Sequence, residues 1–158
     1  CKIIRKLTKK KKAIFIINDH PDLCLMVKAD GVHLGQDDYP VEVIRKLIGN
    51  NYIIGVSTHC AEQYKKAVKD GADYAGVGPL FETHTKDDVI PPVGLKYLKW
   101  VVKNEKIPFV AIGGIKEYNI NEVIKEGAKC ICLVTEITMA NNIKEKIRNI
   151  KKYFSLNI

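Results

Sequence analysis

Three groups of residues in this chain could do chemistry. Asp19 and Asp38 each stand just beyond an apolar run. Two carboxylates at neighbouring strand ends, completed by water and phosphate oxygens, suit octahedral Mg²⁺. Asp37 is an equally good carboxylate in composition, and periodicity does not choose between it and Asp38. Aspartate is also ordinary in turns, so a pair of loop aspartates is the competing reading. The second group is Gly113–Gly114 ahead of one helix and Val134–Thr135 ahead of another. Backbone N–H groups at such places can hold a phosphate, although two plain turns would look the same. The third is Thr83, Thr85 and Lys86, two hydroxyls and a cation on a loop able to close over a site. Lysine is a good point-charge partner for phosphate; a solvated loop is the alternative.

The elements that must position these residues repeat along the chain. VKADGVHLG from residue 27, KDGADYAGVG from residue 69 and KEGAKCICLV from residue 125 each read as a helix end, a turn and an apolar strand. The period is that of a βα unit. Strands are expected at residues 13–17, 31–34, 53–56, 74–78, 109–112 and 130–134. The helices between them carry apolar stripes: Leu23, Met26 and Val27; Val41, Ile44, Leu47 and Ile48; Tyr64, Ala67 and Val68; Leu95, Leu98, Val101 and Val102; Ile120, Val123 and Ile124; and Ile143, Ile147, Ile150 and Phe154. Residues 1–12 read as a helix tail with a short stripe of Ile3, Ile4 and Leu7. The connection at 79–93 is long enough to be functional. Asn18, Asp19, Asp38, Ser57, Lys86, Gly114 and Thr135 all occupy one kind of position, just after a strand. In a (β/α)₈ barrel such positions share a rim; in a doubly wound sheet they share a crevice.

Composition bounds the function. With 158 residues and 46% hydrophobic content the chain can bury a core, and it reads as a single domain over residues 1–158. No apolar run approaches the roughly 18 residues of a membrane span. The net charge of +8 reads as a lysine-rich solvated surface, with attraction of anionic substrates as the functional version. No aromatic residues alternate with the lysines as in a nucleic-acid groove, so neither nucleic acid nor membrane is expected as a partner. The five cysteines are odd in number and scattered, which suits a reducing cytoplasm. The histidines show no zinc spacing with them. Cys130 and Cys132, two apart on a strand, are expected to face into packing together. His33, inside a strand, reads as a satisfied core residue, whereas His59, after one, is an acid/base candidate.

Taken together, the phrases IIND at 16–19, ADGVHLGQDD at 29–38, IIGVSTH at 53–59, GADYAGVGPLFETHTKDD at 71–88, PVGL at 92–95 and AIGGI at 111–115 resemble the thiamine phosphate synthase family, in family order and over nearly the whole chain. The resemblance implies a TIM (β/α)₈ barrel that joins a hydroxymethylpyrimidine pyrophosphate to a thiazole phosphate, both small phosphorylated molecules. It implies Mg²⁺ on Asp19 and Asp38, Asn18 and Lys86 at the pyrophosphate, and Ser57 near the reacting centre. Thr83 and Thr85 would hold the thiazole phosphate, with Gly114, Val134 and Thr135 at its phosphate. The implied reaction is dissociative: pyrophosphate leaves, a pyrimidine-methyl cation forms, and the thiazole nitrogen captures it. Two rivals stand beside it. One is a thiazole tautomerase-like enzyme using His59; the other is a non-catalytic phosphate-binding module.

The sequence departs from the family pattern in two places. Thr135 stands where serine is usual, and Glu136 where a small residue is common, which puts a negative charge near a phosphate. The family's two N-terminal βα units, with their Gln-x-Arg-x-Lys strand, have no match, so the chain reads as strands three to eight. Six such strands cannot close at eight-strand tilt and shear. The expectation is therefore a fragment, weakly active alone, or an assembly with a copy of itself or a partner supplying strands. Turnover by the chain as given, compared with the same chain extended upstream, checks this. The extended form is expected to be much the faster, and equal rates would overturn it.

Overall fold

The computed structural model describes residues 1–85 and 90–155. Helices and strands alternate as α1 (Lys2–Lys11), β1 (Ile16–Asn18), α2 (Pro21–Val27), β2 (Gly31–Leu34), α3 (Val41–Ile48), β3 (Ile53–Thr58), α4 (Ala61–Lys69), β4 (Tyr74–Val77), α5 (Gly94–Lys103), β5 (Phe109–Ala111), α6 (Ile120–Lys125), α7 (Thr135–Thr138) and α8 (Ile143–Ser155). The strands form a parallel sheet in the order β1-β2-β3-β4-β5. None of them carries a charge, and each successive pair is bridged by a helix, which is the habit of parallel sheets.

Two compact units divide the chain. The first comprises Cys1–Thr58 with Glu62–Ala75. Its core is built from Val32 and Leu34 of β2 and Ile54 and Val56 of β3, covered by Ile44 of α3 and Tyr64 of α4, all buried. Pro21 opens α2 in its first turn, where its missing N–H costs nothing. Gly49 closes α3 at a φ of 83°, a conformation glycine adopts without a Cβ penalty. The second unit comprises His59–Ala61 with the chain from Gly76 onward. It buries Val77, Leu98, Val101, Ala111, Ile120 and Val123.

Several expectations are corrected. The first strand lies at Ile16–Asn18 rather than 13–17, so Asn18 is a strand residue. The third continues through Ser57 to Thr58. The strand expected at 130–134 is reduced to a single parallel bridge, Ala111↔Ile131, held by N–H donation from Ala111 to Cys130 O and from Cys132 to Ala111 O, at 2.9 and 2.8 Å. Cys130 is exposed and Cys132 half-buried, so the pair does not face into packing together. Burial pushes the Cys132 thiol above its usual range, with Cys130 adding to the effect. Met26 and Leu47 are exposed, and Cys24 takes the buried place on α2. Helix α1 forms, but Ile3, Ile4 and Leu7 all lie exposed on it.

What ties α1 to its unit is polar. Arg5 donates through its two terminal guanidinium nitrogens to the Asp30 carboxylate, at 2.8 and 2.9 Å, and Phe15 N–H donates to the same carboxylate at 2.8 Å. The Arg5 bond foremost, and the Phe15 bond after it, hold the Asp30 carboxyl below its ordinary range against the opposing effect of burial. A carboxyl depressed in the folded state adds stability that is complete above its unfolded value and lost as pH falls through its folded one. Asp30→Asn should therefore cost about 1–3 kcal/mol at neutral pH. The gap in urea midpoint between the two proteins should close as pH drops below about 4, and a gap independent of pH would contradict it.

Candidate functional site

In the first unit the polar residues gather at the carboxyl ends of β1, β2 and β3. The parallel register sets Asn18 level with His33 and His33 level with Gly55. Asp19 follows at a φ of 62°, in the left-handed region, and its N–H donates to His33 O at 2.8 Å. Aspartate tolerates this conformation better than most residues, and such positions cluster at functional sites. Both Asn18 and Asp19 are exposed.

Beyond β2 the loop turns back on itself. Gly35 N–H donates to Asp38 Oδ2 at 2.6 Å, which is the local turn role open to aspartate. One carboxylate oxygen of Asp38 is thereby anchored, while Asp37 stands exposed. Gln36 Nε2 donates to Ser57 O at 2.6 Å and ties this loop to the end of β3. The Ser57 hydroxyl meets His33 Nε2 at 2.9 Å, and His33 Nδ1 meets the Tyr74 hydroxyl at 2.8 Å. Gly55 makes room for this: a Cβ there would lie 2.1 Å from the Tyr74 ring. His33 is hydrogen-bonded at both ring nitrogens, as a satisfied strand histidine should be, and one of those bonds is to Ser57.

Asp19 and Asp38 stand beyond adjacent parallel strands, and one oxygen of Asp38 is held by backbone. Their donor chemistry fits a hard cation that takes one or two protein carboxylates and completes its shell with water and substrate oxygens. No group of three or more His, Cys, Asp or Glu side chains arranged for a metal occurs among the described residues.

The second unit gathers Thr83, Thr85, Gly114 and Thr135. Gly113 and Gly114 follow β5 at φ values of 96° and 62°. The segment after β4 runs alongside them: Phe81 N–H donates to Gly113 O at 3.0 Å, and a Cβ on Gly114 would lie 2.4 Å from Glu82 O. Thr83 and Thr85 come next, their hydroxyl oxygens 3.0 Å apart. Asn119, buried, pins the turn from both sides. Its Oδ1 accepts from Lys116 N–H at 2.7 Å, and its Nδ2 donates to Gly114 O at 3.1 Å. Val134 is exposed and caps α7, its carbonyl accepting from the N–H groups of Ile137 and Thr138. His59 Nδ1 donates to Gly78 O at 2.6 Å, which places its ring proton on that nitrogen. Lys86 lies outside the described residues.

Lys116 is the residue that sequence reasoning missed. Its Nζ donates to the Thr135 hydroxyl at 2.6 Å and lies 3.8 Å from Glu136 Oε2. The signal available was a cation two places after the double glycine. Glu136 does not act as an isolated negative charge. Lys146 bridges Glu136 at 2.9 Å and Glu117 at 2.7 Å, and those two bonds, Glu117 foremost, raise its pKa.

The backbone at Gly114 leaves no space for a side chain. Gly114→Ala should lose about 1–2 kcal/mol from the left-handed conformation alone, with a further loss from contact with the 81–82 backbone. The urea midpoint measures this, and an unchanged midpoint would show that the turn is not held as described.

Residues 1–137 match the family model described as thiamine monophosphate synthase. The chain is 56% identical over 152 residues to a thiamine-phosphate synthase of Caldicellulosiruptor bescii, covering 96% of this chain and 69% of that protein. It is 57% identical over 155 residues to a thiamine-phosphate synthase of Pelotomaculum thermopropionicum, covering 98% and 71%. Among solved structures it is similar to a thiamine phosphate pyrophosphorylase from Pyrococcus furiosus, with a TM-score of 0.91 and 37% identity over 99% of this chain and 75% of that one. A 3-hexulose-6-phosphate synthase matches in fold alone, with a TM-score of 0.67 at 16% identity over 96% of this chain and 79% of that one.

Proposed function

This chain belongs to the thiamine monophosphate synthase family, and from that premise we propose that it works as a thiamine-phosphate synthase, a transferase of thiamine biosynthesis. It condenses hydroxymethylpyrimidine pyrophosphate with thiazole phosphate, giving thiamine phosphate and pyrophosphate. We also propose the TIM (β/α)₈ architecture, with β1 to β5 and the bridged segment at 130–134 as six of its units and residues 1–158 as one domain; the sequential parallel order of β1 to β5 supports it. A cytoplasmic enzyme suits the scattered cysteines.

In this reading each polar cluster serves one substrate. The first takes the pyrimidine pyrophosphate. Asp19 and Asp38 would hold Mg²⁺, Asn18 would take pyrophosphate oxygens and the Ser57 hydroxyl would lie at the reacting centre; Lys86 is assigned to the pyrophosphate by the family resemblance alone. Mg²⁺ bound by these carboxylates would supply positive charge to stabilise a departing pyrophosphate. The chain's own contribution is positional: His33 and Gln36 hold Ser57 from two sides, so its dipole is set before charge develops. The pyrimidine-methyl cation left behind is captured by the thiazole nitrogen. The second cluster takes the thiazole phosphate, through Thr83 and Thr85 and through Gly114, Val134 and Thr135 at the phosphate. The negative charge of Glu136 is met there by Lys146 at 2.9 Å and by Lys116 at 3.8 Å.

The observation that carries the reading is the register of β1 and β2, which brings Asn18 level with His33 and its Ser57 contact, with Asp19 next in the chain and its N–H donating to His33 O. Formation of thiamine phosphate from the two substrates in Mg²⁺ is the test. Asp19→Asn is expected to lower turnover about 10²- to 10³-fold and to move Mg²⁺ activation to higher concentration. Absence of product from the chain extended upstream, or full turnover by Asp19→Asn in that extended form, would sink the proposal.

A further inference from the structure

Two cations and two carboxylates meet beside Thr135, and they are unequally matched. Lys146 takes both acids at short range, Glu117 at 2.7 Å and Glu136 at 2.9 Å. Lys116 is left with a neutral partner, the Thr135 hydroxyl at 2.6 Å, and with a contact to Glu136 of 3.8 Å, beyond hydrogen-bond range. A lysine ammonium has three donors, and one of them is spent on Thr135. The Thr135 oxygen accepts that bond, so its own hydrogen is directed elsewhere. The result is two donors side by side, one of them charged, at the residue where the functional reading places a phosphate.

The main chain under Lys116 is not free to wander. Its N–H is held by Asn119 Oδ1 at 2.7 Å, and the same buried asparagine holds Gly114 O. Ile115, between them, is buried. The Lys116 side chain is 29% exposed, so its stem is largely covered while the head can reach a ligand.

We propose that Lys116 is a side-chain cation for the phosphate of the thiazole substrate, donating alongside the Thr135 hydroxyl, and that Lys146 helps keep it available by taking the close hydrogen bond to Glu136. The inference rests on the synthase reading above and adds a specificity-determining residue to it. The ligand class is a phosphomonoester dianion. Its oxygens accept from an ammonium and a hydroxyl together, and a charge-assisted bond is about twice as strong as a neutral one. In this arrangement Glu136 is tolerated beside a phosphate because Lys146 makes the close bond to it, and the longer ion pair to Lys116, at 3.8 Å, leaves that ammonium's hydrogen bonds to other acceptors.

Calorimetry with the thiazole monophosphate and with its dephosphorylated alcohol tests this. Lys116→Gln shortens the side chain by one atom, keeps a polar N–H donor and removes the charge. It should weaken binding of the phosphorylated thiazole about 10- to 100-fold and leave binding of the alcohol unchanged. Lys116→Arg should retain the preference for the phosphorylated form, which a loss of fold would not. Glu136→Gln should move the other way and tighten the phosphorylated ligand, because it removes a like charge. Equal weakening of both ligands by Lys116→Gln, no weakening of either, or weaker phosphate binding in Glu136→Gln would each overturn the proposal. The two levels fail differently. If the unaltered chain binds neither thiazole, the substrate reading falls and takes this inference with it. If it binds the phosphorylated form and Lys116→Gln binds it equally well, only the role of Lys116 falls.

Discussion

The register between β1, β2 and β3 is the constraint on which the first polar cluster depends. Side chains alternate across a strand, so a slip of one residue would send a whole set to the opposite face. Val32 and Leu34 are buried, and His33 between them points the other way. In the observed register His33 lies level with Asn18 on one side and Gly55 on the other. That leaves its two ring nitrogens reaching Ser57 and Tyr74. A slip in either pairing would bury a histidine among aliphatic side chains and strip Ser57 of its partner. The hydrophobic pattern that builds the core therefore also orders the polar residues at the strand ends.

Charge plays the corresponding part in the second unit. The chain carries 26 Lys and Arg against 18 Asp and Glu, so a lysine on its own says little. The two that matter are distinguished by what surrounds them. Lys146 hydrogen-bonds two carboxylates, and Lys116 meets a hydroxyl at close range and Glu136 at 3.8 Å. Glu136, which as a letter in the sequence looks hostile to a phosphate, is hydrogen-bonded from a helix that begins seven places later. At the other end of the chain the Arg5–Asp30 pair anchors α1, whose apolar stripe remains exposed.

Strands β2, β3 and β4 were legible because each is a short uncharged run bounded by turn residues. The residues after them were legible as strand-end residues for the same reason. The run at 130–134 looks equally convincing and makes one bridge. Apolar alternation reports that a segment suits a sheet, and it carries no information on how many partner bonds the neighbouring loop permits. The inward faces of α2 and α3 were read one position too wide, at Met26 and Leu47. A stripe marks a preferred face, while its width depends on what packs against it.

By itself the sequence determined the alternating βα order, the uncharged strands, the positions of the two glycines after β5 and the family to which the chain belongs, because these are written in local composition and spacing. Tertiary structure alone decided that Asp38 anchors its own loop through Gly35, that His33 joins Ser57 to Tyr74, and that Lys116 meets Thr135 while Lys146 takes Glu136. Except for the turn at Asp38, these contacts join residues 10 to 41 positions apart. Which side chains of like type pair is settled by distance in space, and the pattern of types along a chain does not contain it.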